Sequence, residues 1–305
     1  MKKRILALIT GIFVVMMAVV GCGQKDVVIK DREGNDFKVP AKVDRIISTA
    51  PSNTEILVEL GLADKLVAVD KYSADVAGLP KNIKLIDFSN PDPEAIISLN
   101  PDMIIASGHN KTEKGQDPFK VISEAGISVA YIPSSTSING IYDDIMFIAD
   151  ITGTKEKGQK IVDNMKNEIN EIAKIGKTIK TKKKVYFEIG PSPNLYSFGD
   201  ATFLNEMINL VGGENIFVDQ NGWVSPSAES VIEKNPDVIL TNVNYVPDAV
   251  KEIKGREGWQ NIAAVKNGKV YLVDTNSSSR PSQNIVKALK QMAEFINPDA
   301  YAKQK

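Results

Sequence analysis

Residues 88–106 read FSNPDPEAIISLNPDMIIA, and residues 223–241 read WVSPSAESVIEKNPDVILT. The two stretches align without a gap. Phe88 matches Trp223, Pro91 matches Pro226, Glu94 matches Glu229, and Asn100-Pro101-Asp102 matches Asn235-Pro236-Asp237. Each copy predicts the same local structure. Asn90 or Ser225 is placed to cap a helix that opens on proline and carries Glu94 or Glu229 in its first turn. Ile96 and Ile97, or Val231 and Ile232, supply its buried face, and Asn-Pro-Asp ends it because a residue before proline is pushed out of the helical region. Met103-Ile104-Ile105 and Val238-Ile239-Leu240 are short apolar runs of the kind buried in a parallel sheet. A helix-to-strand unit used twice predicts two similar lobes, and two lobes imply a cleft.

Around these copies the chain alternates strand and helix, the pattern of a parallel α/β sheet. Residues 27–29 and 36–39 flank Glu33-Gly34-Asn35 as a β-hairpin. A strand over 45–49 runs into Ala50-Pro51-Ser52-Asn53. A helix over 54–60, stopped by Gly61, and a strand over 66–69 follow. After the first copy come a helix near 117–124, a strand over 128–132 and a helix over 141–151. Thr154 is placed to cap a long helix reaching about residue 175, with Ile161, Met165, Ile169, Ile172 and Ile175 at helical spacing. At 1.5 Å per residue it is roughly 30 Å long, about the width of a lobe. Its position between the two copies makes it a bridge. The second half restarts the pattern: a strand over 184–189, the loop Gly190-Pro191-Ser192-Pro193-Asn194, and a helix over 202–211 ended by Gly212-Gly213. The second copy, a strand over 270–273, a loop over 274–280 and a terminal helix over 281–296 complete it. The expected fold class is α/β, with lobes over 22–153 and 177–305, each around a parallel sheet, joined by one long α-helix over 154–176.

At 305 residues there is room for two lobes, and 43% hydrophobic with 25% charged residues is an ordinary globular balance. The first residues differ. Lys2, Lys3 and Arg4 precede an uncharged, mostly apolar run over 5–20 and then Gly21-Cys22, the layout of a signal peptide over 1–21. Val19-Val20-Gly21-Cys22 resembles the bacterial lipobox, with valine where leucine is usual, and this implies a lipid on Cys22 after cleavage. The apolar run is shorter than the roughly 20 residues that span a bilayer, which disfavours an uncleaved anchor. Cys22 is the sole cysteine, so no intrachain disulfide forms. Cleavage removes Lys2, Lys3 and Arg4 from a formal net charge of −1, leaving −4 and no invitation to nucleic acid. The lysines at 180 and 182–184 read as a solvated lead-in to a strand.

Catalytic motifs are missing. One histidine, His109, excludes multi-histidine zinc sites and leaves Ser-His-Asp chemistry resting on that residue. No nucleophile elbow, phosphate loop or dinucleotide fingerprint follows a strand. An enzyme built on carboxylates alone stays open, but only Glu94 and Glu229 nominate a pair, and on separate lobes they would stand too far apart for joint acid–base work, which needs about 5–10 Å.

The leader, Arg45-Ile46-Ile47-Ser48 before Ala50-Pro51-Ser52-Asn53-Thr54-Glu55, and the twin Glu-to-Asn-Pro-Asp units together resemble the substrate-binding proteins of ABC importers for cobalamin, ferric siderophores and haem. The match covers nearly the whole chain after the leader. It implies two Rossmann-like lobes of the class III binding-protein type, a rigid joining helix, little closure on binding, and no catalysis. It further implies an extracytoplasmic, lipid-anchored receptor that serves a permease dimer powered by a cytoplasmic ATPase. Glu94 and Glu229 sit where such proteins dock into arginine pockets, and exposed carboxylates fixed at helix starts suit bidentate arginine. The plainer alternative is that they favour the helix dipole, worth about 0.3–1 kcal/mol each.

Ligand contacts are expected in loops at the carboxyl ends of strands. These are Pro51, Ser52, Asn53, Tyr72, Phe88, Gly108 and His109 in the first lobe, and Ser192, Asn194, Trp223, Asn242, Tyr245 and Arg280 in the second. Phe88 and Trp223 occupy positions resembling the aromatic contacts of cobalamin binders, where facing aromatics suit a broad apolar ring; core packing is the alternative, stronger for Phe88. Neutral imidazole from His109 can ligate haem iron or corrinoid cobalt, and an exposed loop histidine is the plainer reading. The chain after the leader has four arginines, Arg32, Arg45, Arg256 and Arg280. Only Arg280 looks placed for the cleft, too few for a polyanionic catecholate chelate, which tilts the ligand towards a corrinoid or near-neutral siderophore. No resident metal or cofactor is expected. An extracytoplasmic enzyme on the same scaffold is the competing class.

Overall fold

A computed structural model describes residues 27–108 and 117–302. The leader, Cys22 and His109 lie outside the described residues. β1 (Val27–Lys30) and β2 (Asp36–Val39) pair as the expected antiparallel hairpin. The first lobe then adds β3 (Ile46–Ser48), α1 (Pro51–Glu59), β4 (Leu66–Asp70), β5 (Lys84–Ile86), α2 (Pro93–Ser98), β6 (Met103–Ser107), α3 (Lys120–Glu124), β7 (Ser128–Ile132) and α4 (Ile138–Ile151). Its five strands are all parallel, in the order β5-β4-β3-β6-β7. α5 (Lys155–Gly176) leads to the second lobe. There follow β8 (Lys183–Glu188), β9 (Ser197–Phe198), α6 (Phe203–Leu210), β10 (Gly213–Asn215), β11 (Trp223–Val224), α7 (Ala228–Lys234) and β12 (Val238–Thr241). α8 (Ala249–Gly255), α9 (Ala263–Lys266), β13 (Val270–Leu272), α10 (Thr275–Ser279), α11 (Ile285–Ile296) and α12 (Pro298–Tyr301) complete the lobe. The second sheet is parallel in the order β10-β8-β12-β13, and β9 and β11 form a separate antiparallel pair. This is the expected α/β class. Strand order reverses between β3 and β6 and between β8 and β12, and such reversals leave a crevice at the carboxyl ends of the strands.

The sequence duplication extends to the hydrogen bonds. Asn100 and Asn235 both take left-handed backbone angles, φ 47° in each, which asparagine tolerates and which ends the helix before proline. In the first copy the Asp102 carboxylate accepts from the N–H groups of Asp44 and Arg45 at 2.7 and 2.9 Å, and its own N–H donates to the Arg45 carbonyl. In the second, Asp237 does the same with Lys184. Each Asn-Pro-Asp therefore stops a helix and ties the next strand to the start of its neighbour.

The caps differ from expectation. Both helices start two residues later, with Asp92 accepting from Ala95 and Ser227 accepting from Ser230, so neither Asn90 nor Ser225 is the cap. Pro93 takes the first helical position in one copy and Ala228 in the other. Ile96 and Val231 are buried as expected, whereas Ile97 is exposed, since neighbours on a helix lie about 100° apart and so short a helix buries one narrow stripe. Residues 51–53, expected as loop, form the first turn of α1, with Pro51 inside its start. Residues 275–279, also expected as loop, form α10, capped by Asp274.

One apolar core runs through both lobes. It passes from Ile46 and Ile105 in the first sheet through Ile145 and Ile148 of α4, Met165 and Ile169 of α5, Met207 of α6 and Leu289 and Met292 of α11 to Val185 and Leu240 in the second sheet. α5 packs on α4, α6 and α11, so the amphipathic stripe read in the sequence is the seam between the two sheets. The outer face of each sheet has its own smaller core.

Candidate ligand cleft and docking helices

Both sets of strand ends meet at one cleft, because the segment after α10 touches the loop after β4. Each lobe brings an aromatic pair to its strand ends. In the first, Asp70 at the end of β4 accepts from the Tyr72 N–H at 2.7 Å and from the Ser73 hydroxyl at 2.6 Å, fixing a tight turn that leaves the Tyr72 ring exposed. Burial raises the Asp70 carboxyl above its usual range, against those two hydrogen bonds. Phe88, half-buried after β5, meets Tyr72 edge to face at 6.1 Å. In the second lobe, Trp223 stacks on Tyr196 at 6.2 Å and meets Phe198 edge to face at 6.3 Å. Trp223 keeps 48% exposure, so its ring is presented rather than packed away. Two glycines permit this placement. Gly222 turns the chain into β11 at φ 69°, and a side chain at Gly199 would strike the Gln220 carbonyl at 2.1 Å.

The remaining expected residues divide. Ser192, Asn194 and Tyr245 are exposed. Asn53 is buried within α1. Asn242 is also buried; its amide donates to the Ser278 and Ser279 hydroxyls at 3.1 Å each, and its carbonyl accepts from Thr275. Arg280 does point to the interlobe region, but it is spent on protein partners: Glu55 at 3.0 Å, Asp75 at 2.8 Å and the Tyr72 carbonyl at 3.1 Å. Beside it lies a recess of about 320 Å³ lined by Glu55, Val58, Asp75, Asn276 and Asn284, with no aromatic wall. Lys71, at the rim, pairs with Asp87 at 2.7 Å and sits over the Tyr72 ring at 5.2 Å. Two participants escaped the sequence reading. Tyr196 was signalled only by its place two residues before Phe198, and Glu55 lies in the quoted Ala50-to-Glu55 motif but reads as a surface helix charge.

Beneath the second crevice lies a charged network. Glu188, fully buried at the end of β8, receives both arms of Arg256 at 2.6 and 2.8 Å, and Arg256 also grips Glu252 at 2.6 and 2.9 Å. The guanidinium lies 4.5 Å from the Trp259 ring centroid. Burial pushes the Glu188 carboxyl upward, and the guanidinium works against that shift.

Glu94 and Glu229 are both exposed, each in the first turn of its matched helix. The Glu229 carboxyl is held below its usual range by its own backbone N–H and by the Ser227 hydroxyl. Among the described residues no cluster of metal-ligating side chains occurs and no helix is long and apolar enough to cross a membrane.

Two parallel α/β sheets packed across one long helix, each lobe carrying an aromatic pair in the segments after its sheet strands, make a bilobal α/β protein of the binding-protein kind. Residues 46–276 match the periplasmic binding protein family, and the chain belongs to it. Over 99% of both chains it is 32% identical to an uncharacterised ABC transporter substrate-binding lipoprotein of Bacillus subtilis. It is 26% identical to a vitamin B12-binding protein of Vibrio parahaemolyticus, over 83% of this chain and 90% of that one. Among solved structures, a possible iron-binding solute-binding protein of Staphylococcus epidermidis aligns at TM-score 0.74 and 33% identity, over 84% of this chain and 99% of that one. The chain is thus an extracytoplasmic substrate-binding protein of an ABC importer, and its partners are a small-molecule ligand and a permease with its ATPase.

Proposed function

We propose that the chain captures a broad, near-neutral ring complex, a corrinoid such as cobalamin, in the interlobe cleft and delivers it to the permease. The carrying observation is the pair of exposed aromatic groups, Tyr72 with Phe88 and Tyr196 with Trp223, whose neighbouring cations Lys71 and Arg280 are already neutralised. Flat aromatic faces favour a rigid apolar ring, and paired cations offer little to a polyanionic chelate. The vitamin B12-binding relative supports this reading. A near-neutral ferric siderophore is the second reading, supported by the likeness to the possible iron-binding protein. Haem and an enzymatic role rank below both.

In this reading Pro51, Ser52, Tyr72, Phe88, Ser192, Asn194, Trp223 and Tyr245 line the ligand, with Asn53 and Asn242 shaping the wall behind them. Lipid on Cys22 tethers the chain to the outer face of the membrane, in keeping with the Bacillus relative's description as a lipoprotein. The working division is a first lobe over 22–153, a bridge over 154–176 and a second lobe over 177–305.

Tryptophan-fluorescence titration of the mature protein tests the ligand, since Trp223 is exposed and Trp259 is buried. Saturable, sub-micromolar quenching by cyanocobalamin, confirmed by calorimetry, is the expected result. Saturation only by a neutral ferric siderophore replaces the corrinoid, and no response to either ligand or to haem overturns the reading. Trp223→Ala is expected to weaken binding by more than about 1 kcal/mol, roughly fivefold or more in Kd. An unchanged Kd with a lowered melting temperature would return Trp223 to a packing role.

A further inference from the structure

Glu55 sits on α1 in the first lobe and is nearly as buried as the apolar residues beside it, at 5% exposure. Its partners all come from the second lobe. Pro281 has no N–H and breaks the chain between α10 and α11, so the intervening residues turn their donors towards α1 instead of into a helix. Arg280 Nη1 donates to Glu55 Oε1 at 3.0 Å, and Ser282 Oγ and Asn284 Nδ2 donate to Oε2 at 2.5 and 2.9 Å. Gln283 Nε2 reaches the Glu55 carbonyl at 3.2 Å. A second arm continues the contact. Arg280 Nη2 donates to Asp75 Oδ1 and to the Tyr72 carbonyl, and Asn276 Nδ2 donates to Asp75 Oδ2 at 2.7 Å.

The position of this clasp matters more than its size. On the α5 side the lobes share a continuous apolar core, which resists separation but tolerates small sliding of packed helices. The clasp lies nearer the strand ends: Glu55 is midway along α1, whose far end meets α5 where Lys157 donates to the Leu60 carbonyl. Any rocking of one lobe against the other about α5 must break it, and a buried carboxylate stripped of its donors is costly. Arg280 also holds the carbonyl of Tyr72, whose N–H is held by Asp70, so the turn presenting this ring is fixed from both sides.

We propose that Glu55 and Arg280 are positioning residues: they hold the cleft faces of the two lobes at one spacing and fix the Tyr72 turn, and Arg280 acts through that turn instead of touching the ligand. The proposal rests on the reading of this cleft as the ligand seat. The same commitment explains how a cleft containing an arginine stays close to neutral.

Hydrogen–deuterium exchange of the ligand-free protein tests it, with Arg280→Met and the milder Glu55→Gln. The expected result is exchange at least tenfold faster at 50–60, 70–76 and 274–284 in both variants, with wild-type protection in β6, β8 and β12. Unchanged exchange at those three segments would overturn the proposal, and so would equal acceleration across both sheets, which marks general loss of stability. Arg280→Lys, which keeps the charge but not the fork, is expected to fall between the two and serves if Arg280→Met does not fold. Because the readout needs no ligand, its failure leaves the receptor reading standing. A failed cobalamin titration likewise leaves the clasp intact.

Discussion

Replacing Arg256 by methionine is expected to destabilise the protein by about 3–5 kcal/mol, the usual cost of leaving one partner of a buried ion pair alone. Glu188 is fully buried and takes its two strongest hydrogen bonds from Arg256, and the Tyr186 hydroxyl at 3.3 Å is a weak substitute. Glu252, by contrast, is partly exposed and can turn to water when Arg256 is lost. The cost therefore falls almost wholly on Glu188. For a chain of this size it corresponds to a fall in melting temperature of the order of 10 °C. The double change Arg256→Met with Glu188→Met is expected to recover most of that loss, because an apolar pair of similar volume no longer carries a buried charge. Calorimetry of the two variants checks both statements. A single mutant within about 1 kcal/mol of the parent would mean that Glu188 becomes neutral in the fold at little cost. The network also adjoins the proposed ligand loop: β8 ends at Glu188, and the loop carrying Ser192 and Asn194 begins one residue later.

The duplicated unit was legible because each of its features has one physical reading. An acidic first turn, one buried aliphatic stripe and Asn-Pro-Asp leave little freedom, and both copies fold alike down to the left-handed asparagine. The caps were misplaced because Asn90 and Ser225 precede the first proline of each copy, and the dipeptides Asp92-Pro93 and Ser227-Ala228 offered equal chemistry two residues later. β5 and β10 are illegible for a different reason. They are three-residue edge strands whose sequences, Lys84-Leu85-Ile86 and Gly213-Glu214-Asn215, carry no apolar run of their own. α8 lies in a polar stretch without strong periodicity, so nothing local marks it.

The interlobe clasp was the least legible part. Asn53, Thr54 and Glu55 are three consecutive polar residues, which a hydrophobicity pattern assigns to the surface, yet all three are buried. Thr54 is satisfied by the Ser48 hydroxyl at 2.8 Å and by Ala50 and Ser73 at 3.0 Å each, and Glu55 by a segment more than 200 residues away. Burial of a charge depends on where its partner arrives, and no local spacing encodes that. The loop carrying Arg280 points to the interlobe region, but its occupation by Glu55 and Asp75, each more than 200 residues away, has no local signal.

Reversing the two matched charges, Glu94→Arg with Glu229→Arg, is expected to cut cellular uptake about a hundredfold or more if they dock on the permease, because like charges forced together across an interface cost several kcal/mol. Ligand affinity of the purified double variant should stay within about twofold of the parent. The two glutamates stand at the same place in a repeated unit, exposed, in the first turn of α2 and α7. A permease made of two like subunits needs two like handles, and a duplicated unit supplies one per lobe. Each helix loses a favourable interaction between an acidic side chain and its dipole, about 0.3–1 kcal/mol, so a small fall in melting temperature is expected either way. What separates docking from mere helix support is therefore uptake, not stability. Normal transport by a slightly less stable protein would reduce both residues to helix-start charges, and lost affinity in the purified variant would place them in the ligand site. The single variants separate the handles further. If each lobe engages its own subunit, either change alone should reduce uptake, and the double change should exceed both.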